Sequence, residues 1–389
     1  MRSKLAALAL GLSLFSFGCD DIQTSEAIPD SNTASLSVKN GDVVPGQYIV
    51  VLKKGVSTEA YLNSALNKTM KEPLYTFDAI QGFQGVTVQL SNEQLEAVKK
   101  DPQVDYVEQD RFIVLNNPSA YAKPGGGGGT SPAQTTPWGI TRVGGAANGV
   151  GLRACVLDTG VDLDHADLTV DIANSRTFIT SGKDAQNADD GNGHGSHVAG
   201  TIAAKNNTIG VIGVAAGATI VAIKVLNSQG SGTNSGVIAG VNYVAAGGTS
   251  LCSAANMSLG GGVSTALDDA VRNAAATGVK FALAAGNESQ DANLSSPGRL
   301  NAPNVITIAA TNSSDQLASF SNYNASIVDW AEPGVSINST WKGGGYNTIS
   351  GTSMATPHAT GLLLLGGPRS DGRQSSADPN GARYYIGVR

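Results

Sequence analysis

Five short apolar runs in the last two thirds of the chain most limit the fold that this sequence can adopt. They lie at 153–157, 219–226, 255–259, 279–285 and 305–310. Segments of helical composition alternate with them, at 194–205, 234–246, 264–277 and 353–365. Continuous apolar runs are typical of strands buried on both faces, and alternation with helices favours parallel pairing. We therefore predict an α/β domain over 133–389, a doubly wound, mostly parallel sheet with helices on both faces.

A smaller unit is predicted upstream, at 44–116. Its pattern is strand, helix, strand, helix, strand, and the second helix starts at the cap residue Ser91. The composition then changes at 117–132, which contains five consecutive glycines at 125–129. Such a run cannot hold a regular structure and stays open to proteases. We interpret it as a domain boundary and a processing linker behind a small α+β domain.

The N-terminus indicates export. A short basic segment precedes an apolar run at 5–17, which is too short to span a bilayer and ends at small residues. Residues 1–18 are therefore predicted to be a secretory signal, and the polar residues 19–43 a flexible linker. Cys19 could carry a lipid that anchors the precursor to a membrane, although Ser16 departs from the usual lipoprotein pattern. Both outcomes, attached and unattached, stay open.

The remaining cysteines are Cys155 and Cys252. Export makes a disulfide between them possible. The apolar neighbours of Cys155 favour the other interpretation, a free thiol buried in a strand. The net charge of −6 and the pI near 5.2 argue against a nucleic-acid partner, which would require a basic face.

Two polar residues stand where the predicted fold concentrates function. Asp158 ends the first apolar run, and functional side chains gather at the carboxyl ends of parallel strands. The alternative is that Asp158 only caps the loop that follows the strand. His194 lies in a glycine-flanked segment, DGNGHGSH at 190–197, at the start of a predicted helix. A metal site shared with His197 is the alternative, but no third ligand lies nearby at metal spacing.

Ser353 lies in SGTSMATPH at 350–358, at the first position of an apolar helix. Its hydroxyl and backbone N–H would lie where unpaired amides and the helix dipole favour a developing oxyanion. A plain capping serine is the alternative. Asn287 follows another strand, so its side-chain amide could donate to the same oxyanion. The order Asp, His, Ser is one of the known triad orders. It excludes an α/β-hydrolase esterase, in which the serine comes first and lies in G-x-S-x-G.

Over residues 133–365 the sequence resembles the subtilisin-type serine peptidases of the proteinase K-like group. The most specific matches are GHGSH at 193–197, SLGGG at 258–262 and GTSMATPH at 351–358. The resemblance implies that Asp158 orients His194, that His194 is the general base and that Ser353 is the nucleophile. It also implies an oxyanion hole formed by Asn287 and the Ser353 N–H. It assigns structural roles to three further histidines, His165, His197 and His358.

The same resemblance implies that residues 44–116 are an inhibitory propeptide and that the mature chain begins near 134–139. The protein would then be an autoprocessed zymogen that acts on protein and peptide substrates as a monomer. A peptide-binding relative without catalysis is the rival interpretation. Nothing supports that rival, because every triad position holds the required residue type.

The resemblance also implies a substrate groove with two walls. Its residues are Ser258, Leu259 and Gly260 on one wall, and Ala284, Ala285 and Gly286 on the other. Since neither wall carries a charge, we expect broad cleavage after apolar or aromatic residues and not after Lys or Arg. The alternative is that these glycines serve only close packing.

A structural calcium ion is a further implication, although no cofactor is expected for catalysis itself. Its ligands would be the Asp329 carboxylate and the carbonyls of Pro303 and Val305, a mixed oxygen set that suits calcium. At the C-terminus, 366–368 should end the Ser353 helix. We expect only a short polar tail after it.

Overall fold

The protein is described by a computed structural model that covers residues 38–64, 71–115 and 132–389. The predicted export signal, Cys19 and the glycine run lie outside the described residues. Val38–Arg389 form one unit. In the described part of the chain, no helix has the length and apolar character needed to cross a membrane.

An antiparallel sheet with two helices on one face forms the first part of this unit. Its elements are β1 (Val43–Leu52), α1 (Thr58–Leu62), β2 (Tyr75–Phe77), β3 (Gln84–Gln89), α2 (Asn92–Val98) and β4 (Val104–Val114). The strand order is β4-β1-β3-β2. The predicted strands are confirmed, and β2 is additional. The predicted cap is also confirmed, since Gln94 N donates to Ser91 Oγ at 3.2 Å and Ser91 N to Gln94 Oε1 at 2.8 Å.

The remainder alternates strands with helices, as predicted. The strands are β5 (Ala147–Asn148), β6 (Arg153–Asp158), β7 (Thr169–Val170), β8 (Arg176–Thr177), β9 (Ala215–Ala216), β10 (Thr219–Lys224), β11 (Ser231–Thr233), β12 (Ala254–Met257), β13 (Lys280–Ala284), β14 (Val305–Thr311), β15 (Trp330–Pro333), β16 (Ile337–Trp341), β17 (Gly345–Ile349), β18 (Arg369–Gln374) and β19 (Tyr385–Val388). The α-helices are α3 (Trp138–Arg142), α4 (His194–Ala203), α5 (Asn234–Leu251), α6 (Thr265–Ala275) and α7 (Thr352–Leu364). Short 3₁₀ helices lie at Ile172–Asn174, Lys183–Ala185 and Ala292–Leu294.

The central sheet has the order β18-β19-β15-β14-β13-β12-β6-β10-β7, with β8 also paired to β10. Pairing is parallel from β10 through β6, β12, β13 and β14 to β15. Successive residues of β6 face opposite sides. Cys155 and Leu157 pack in the core that contains α5 and α6, whereas Ala154 and Val156 pack in the core that contains α4. The predicted fold, with helices on both faces of a parallel sheet, is therefore confirmed.

The small antiparallel sheet packs against the larger part of the molecule. The face away from α1 and α2 buries Ile49, Val51 and Phe77 in the same apolar core as α5 and α6. Its edge strand β4 also pairs with β11, in the register Ser231↔Val114, Gly232↔Ile113 and Thr233↔Phe112. The two parts share both a core and a sheet edge.

The polar tail predicted after α7 contains two strands, β18 and β19. β18 and β19 pair with each other, and Ile386 of β19 pairs with Ala331 of β15 at the edge of the central sheet. The side chains of Tyr384 and Ile386 are buried. The tail is polar because β18 is exposed along its whole length, and this composition concealed a strand pair.

The favoured free-thiol interpretation is also wrong, because Cys155 and Cys252 form a disulfide. Their Cα atoms are 5.7 Å apart, although the residues are 97 positions apart in the chain. In the chain-entropy model, closing a loop of about 100 residues stabilises the folded state by about 4.7 kcal/mol. The bond ties the strand that ends in Asp158 to the segment that follows α5.

Candidate active site

The carboxyl ends of three adjacent parallel strands meet at one edge of the sheet. Asp158 ends β6, Ser258 follows β12, and Asn287 lies three residues after β13. Two helices, α4 and α7, begin at the same edge and carry His194 and Ser353 in their first turns. The sheet topology therefore brings together residues that lie almost 200 positions apart.

Asp158 and His194 form a directly bonded pair in the site. His194 Nδ1 lies 2.8 Å from Asp158 Oδ1, which also accepts the Thr159 N–H at 2.7 Å. Both side chains are buried. Burial alone would lower the pKa of His194, but the charge and hydrogen bond of Asp158, with a smaller contribution from Asp190, outweigh it and raise the pKa above its usual value. Asp158 therefore fixes the ring and favours its protonated form.

Ser353 lies at the N-terminus of α7, and its side chain is mostly buried. Its Oγ donates to the carbonyl of Ser258 at 3.0 Å, and Ser258 Oγ donates back to the Ser353 carbonyl at 2.8 Å. Ser353 and His194 line the same cleft, which has a volume of about 330 Å³. A rotation about the Cα–Cβ bond of Ser353 is needed to turn its hydroxyl away from Ser258.

The side-chain amide of Asn287 is held in place through its oxygen. Its Oδ1 accepts the Thr352 N–H at 2.8 Å and the Thr352 hydroxyl at 2.9 Å. A side-chain amide with its oxygen fixed in this way has a fixed orientation, so Nδ2 is directed as a donor.

The predicted substrate residues occupy the cleft with one exception. Ser258, Leu259, Gly260, Ala284 and Gly286 line it. Ala285 does not: its side chain is buried in a separate apolar cluster, and its carbonyl accepts Asn322 Nδ2 at 3.0 Å. Ala285 therefore belongs to the packed interior and not to the cleft lining.

Glu288 and Asn40 are among the cleft residues that sequence reasoning missed. The Glu288 carboxylate accepts the Asn287 N–H at 2.9 Å and Asn322 Nδ2 at 2.8 Å, so a charged side chain lies in the cleft beside the two uncharged walls. Its position next to Asn287 was the available signal. Asn40 Oδ1 accepts the Val114 N–H at 3.2 Å, and its Nδ2 reaches the Gly260 carbonyl at 3.4 Å. Nothing in the local sequence pattern indicated that contact.

The end of β4 enters the same cleft. Val114 and Leu115 line it, and the Leu115 N–H donates to the Gly230 carbonyl at 2.9 Å. Together with the β4–β11 pairing, this is strand addition to an exposed edge, the geometry in which an extended peptide is held.

Two carboxylates of β4 lie at the N-termini of the adjacent helices. Asp110 accepts the Ser235 N–H at 3.1 Å and its hydroxyl at 2.5 Å, in the first turn of α5. Glu108 accepts the Ala266 N–H at 3.0 Å and the Ser264 hydroxyl at 2.5 Å, at the start of α6. Negative groups are favoured there by the unpaired amides and the helix dipole.

The other histidines are bonded away from the cleft. His197 Nε2 lies 2.9 Å from the Ile337 carbonyl, His358 Nδ1 lies 3.0 Å from the Met354 carbonyl, and His165 Nε2 lies 2.9 Å from the Gly345 carbonyl. Burial lowers the pKa of His197 to about 3 and that of His358 to about 4, so both rings are neutral at ordinary pH. In the described part of the chain, no group of three His, Cys, Asp or Glu side chains could hold a metal ion.

The predicted calcium ligands lie on the far end of β14. Asp329 Oδ2 accepts the Thr307 N–H at 2.8 Å, and the residue is exposed. Burial of part of the carboxyl raises its pKa, and the Thr307 amide opposes that shift. Pro303 and Val305 precede Thr307, the residue that Asp329 contacts. The donors are all oxygens and include a carboxylate with no cationic side chain in salt-bridge contact among the described residues. This set fits a hard cation.

Comparisons with known proteins agree with this architecture. Residues 149–366 match the subtilase family, and residues 47–116 match peptidase inhibitor I9. Subtilisin-like serine protease Pen ch 13 of Penicillium rubens is 40% identical over 368 residues, which cover 86% of each chain. Proteinase R of Parengyodontium album is 35% identical over 347 residues, covering 85% of this chain and 82% of that protein.

A solved structure gives the same result. The crystal structure of a cold adapted subtilisin-like serine proteinase is 43% identical, with a TM-score of 0.51, and covers 59% of this chain and 83% of that one. The family match, the parallel fold and the cleft together establish the class of enzyme. The chain belongs to the subtilase family of serine endopeptidases and carries an I9-type propeptide domain, an intramolecular inhibitor, on its N-terminal side.

Proposed function

We propose that this chain is the autoprocessed precursor of a secreted endopeptidase of broad specificity in which Asp158, His194 and Ser353 form the catalytic triad. The observation that carries the proposal is the 2.8 Å contact between His194 Nδ1 and Asp158 Oδ1 in the cleft that Ser353 also lines. Because His194 Nδ1 is bonded to Asp158, Nε2 is the ring nitrogen that can act on Ser353. Labelling of Ser353 by a serine-directed organophosphonate, located by peptide mass mapping, tests the assignment. Labelling at any other serine contradicts it.

The chemistry follows from these positions. His194 Nε2 takes the proton as Ser353 Oγ attacks the substrate carbonyl, because a serine hydroxyl is a weak nucleophile without a base. The imidazolium then gives that proton to the leaving amine, and the acyl group remains on Ser353. Water hydrolyses the ester by the same proton transfers. Asp158 stabilises the imidazolium in both halves of the reaction.

Asn287 Nδ2 and the Ser353 N–H are the proposed donors to the oxyanion. The Ser353 amide is one of the unpaired donors at the start of α7, and Thr352 holds the Asn287 amide in place. Fixed donors need no reorganisation when charge develops on the carbonyl oxygen. They therefore favour the tetrahedral intermediate over the bound substrate.

The proposed preference before the scissile bond is for apolar and aromatic residues, with Lys accepted through Glu288. We expect Glu288→Gln to lower kcat/KM for a Lys substrate about two- to fivefold relative to the matched Phe substrate, because an exposed ion pair contributes at most about 1 kcal/mol. Paired p-nitroanilide substrates measure this. As a control, Gln290→Glu should not lower the Lys-to-Phe ratio. A wild-type profile dominated by basic residues would contradict the apolar preference.

The proposed inhibitory contact depends on Glu108 and Asp110. We expect Glu108→Ala or Asp110→Ala to raise the peptidase activity of the freshly folded precursor about tenfold, since each removes charge-assisted hydrogen bonds to a helix N-terminus. A chromogenic peptide assay of the intact precursor gives the measurement. The matched control is Glu93→Ala, an exposed carboxylate in the first turn of α2. Equal effects of all three variants would show that the helix contacts do not set the inhibition.

A structural calcium ion is proposed at Asp329 with the carbonyls of Pro303 and Val305, where it would supply stability and no chemistry. We expect EDTA to lower Tm by about 5 °C or more, because a ligand that binds only the folded state stabilises it. Asp329→Asn should remove this EDTA effect, whereas the exposed control Asp371→Asn should retain it. An unchanged Tm in EDTA for the wild-type protein would exclude the site.

The proposed destination is extracellular, with a monomeric mature enzyme. The export signal predicted at 1–18 and the composition of the N-terminus support secretion. A lipid on Cys19 would anchor only the part that maturation removes. N-terminal sequencing and the intact mass of the purified enzyme test both points, and retention of Cys19 in the mature protein would contradict them.

A further inference from the structure

A second buried carboxylate, Asp190, lies beneath the Asp158–His194 pair. Oδ1 accepts the Thr159 hydroxyl at 2.9 Å and the N–H groups of Asn192 and Gly193 at 2.9 and 2.8 Å. Oδ2 accepts the N–H and the hydroxyl of Ser196 at 2.9 and 2.7 Å. Five donors from both sides of the site therefore meet on one carboxylate.

These donors belong to the two segments that carry the catalytic pair. Thr159 directly follows Asp158, and its N–H binds the same Asp158 oxygen that accepts His194. Thr159 Oγ1 also accepts the Gly195 N–H at 3.0 Å, directly after His194. A chain of hydrogen bonds thus runs from the end of β6 through Thr159 and Asp190 to the loop before α4.

The charge of Asp190 is not neutralised by a neighbouring cation. All five partners are neutral, and among the described residues no Lys, Arg or His forms a salt bridge with it. Burial raises the pKa of Asp190, and hydrogen bonds from Gly193, Ser196 and Thr159 oppose that shift. Its negative charge in turn helps to raise the pKa of His194.

We propose that Asp190 is a positioning residue that holds the His194 loop in register with Asp158 and whose charge adds to that of Asp158 in stabilising the imidazolium. The inference rests on the proposed triad. A misplacement of about 1 Å between base and nucleophile costs about 100-fold in rate, so a carboxylate that fixes both segments affects the chemical step without touching substrate.

The other charged groups around this site are tied to different partners. Lys224 Nζ donates to the Thr159 carbonyl at 2.5 Å and pairs with Asp184 at 3.0 Å. Lys342 Nζ donates to the Gly191 carbonyl at 2.6 Å. His197 is held neutral by burial on α4, and Glu288 lies in the cleft with Asn287 and Asn322. Asp158 and Asp190 are the two carboxylates that raise the pKa of His194.

The test compares Asp190→Asn with Asp167→Asn. Asp167 is also a buried carboxylate bonded to neutral donors, Val211 N at 3.1 Å and Asn207 Nδ2 at 2.8 Å, but it does not contribute to the His194 pKa. We expect Asp190→Asn to lower kcat about 10- to 100-fold. Loss of the negative charge lowers the pKa of His194, so the acid limb of the kcat/KM profile should move to lower pH by about 0.5–1 unit. Asp167→Asn should leave kcat and the position of the acid limb unchanged, even if its Tm falls.

The concentration of active enzyme is measured by organophosphonate titration. A variant that matures poorly then does not appear to have a low kcat. An acid limb at the wild-type pH in Asp190→Asn, or equal shifts in the two variants, overturns the proposal while leaving the triad intact. If Asp190→Asn does not fold, the same measurements on Thr159→Val test the proposal. It removes the linking hydroxyl and keeps the charge, so a tenfold lower kcat with an unmoved acid limb supports the proposal, and wild-type kcat overturns it.

Discussion

Replacement of Ser353 by alanine is expected to lower kcat for a peptide substrate by about 10⁶-fold, the loss measured for subtilisin, a relative of this chain. Ser353 Oγ is the proposed nucleophile, and it lies in the cleft at the N-terminus of α7. The precursor should also remain uncleaved, because maturation uses the same nucleophile. Hydrolysis of a chromogenic peptide and the size of the purified chain measure the two effects.

A matched control is Ser350→Ala, which changes another serine in the same cleft. Ser350 Oγ accepts the Ser336 N–H at 2.8 Å and lies two residues before the first residue of α7, so its loss should lower kcat less than tenfold. Near-UV circular dichroism checks that both variants are folded. If Ser353→Ala retains more than a hundredth of the wild-type kcat, Ser353 is not the nucleophile.

Replacement of Asp158 by asparagine should lower kcat by about 10⁴-fold near neutral pH. Asp158 Oδ1 accepts from both His194 Nδ1 and the Thr159 N–H, and its charge raises the pKa of His194. An amide keeps the shape but removes the charge and favours the tautomer that cannot accept the Ser353 proton. A full pH profile of kcat/KM measures both effects. The remaining activity should show its acid limb at lower pH than the wild type.

The control for this variant is Asp164→Asn, an exposed carboxylate in the loop after β6. It should stay within twofold of the wild type in kcat and in the position of the acid limb. A kcat for Asp158→Asn within tenfold of the wild type would show that His194 is oriented by another group. Asp190 would then be the first candidate, since it also acts on His194.

The elements that the sequence predicted well are those whose signal is local. Each apolar run that became a central strand is buried on both faces, so composition alone marks it. The positions of Asp158, Asn287 and Ser353 followed from strand ends and a helix start, because parallel strands place their carboxyl ends at one edge. The helix cap at Ser91 could also be predicted from local sequence, because its two hydrogen bonds join residues three positions apart.

The errors concern contacts between distant residues. Cys155 resembled a buried free thiol because its own strand is apolar, and only the packing of β6 against the end of α5 brings Cys252 within bonding distance. The two strands after residue 368 were not predicted because β18 is polar, and their formation depends on an edge of the central sheet that other segments build. Glu288 was not among the predicted groove residues, although folding places it on the lining.

The sequence by itself predicted the parallel α/β fold, a small N-terminal α+β region and the candidate residues for acyl transfer, because periodicity, strand ends and helix starts are local properties. Only the tertiary structure decided how the parts act on one another. It paired β4 with β11 so that Leu115 lies in the cleft, closed the Cys155–Cys252 bond and joined Asp190 to both catalytic segments. Each of these depends on hydrogen bonds and packing between segments that are distant in the chain, whose partners no local pattern specifies.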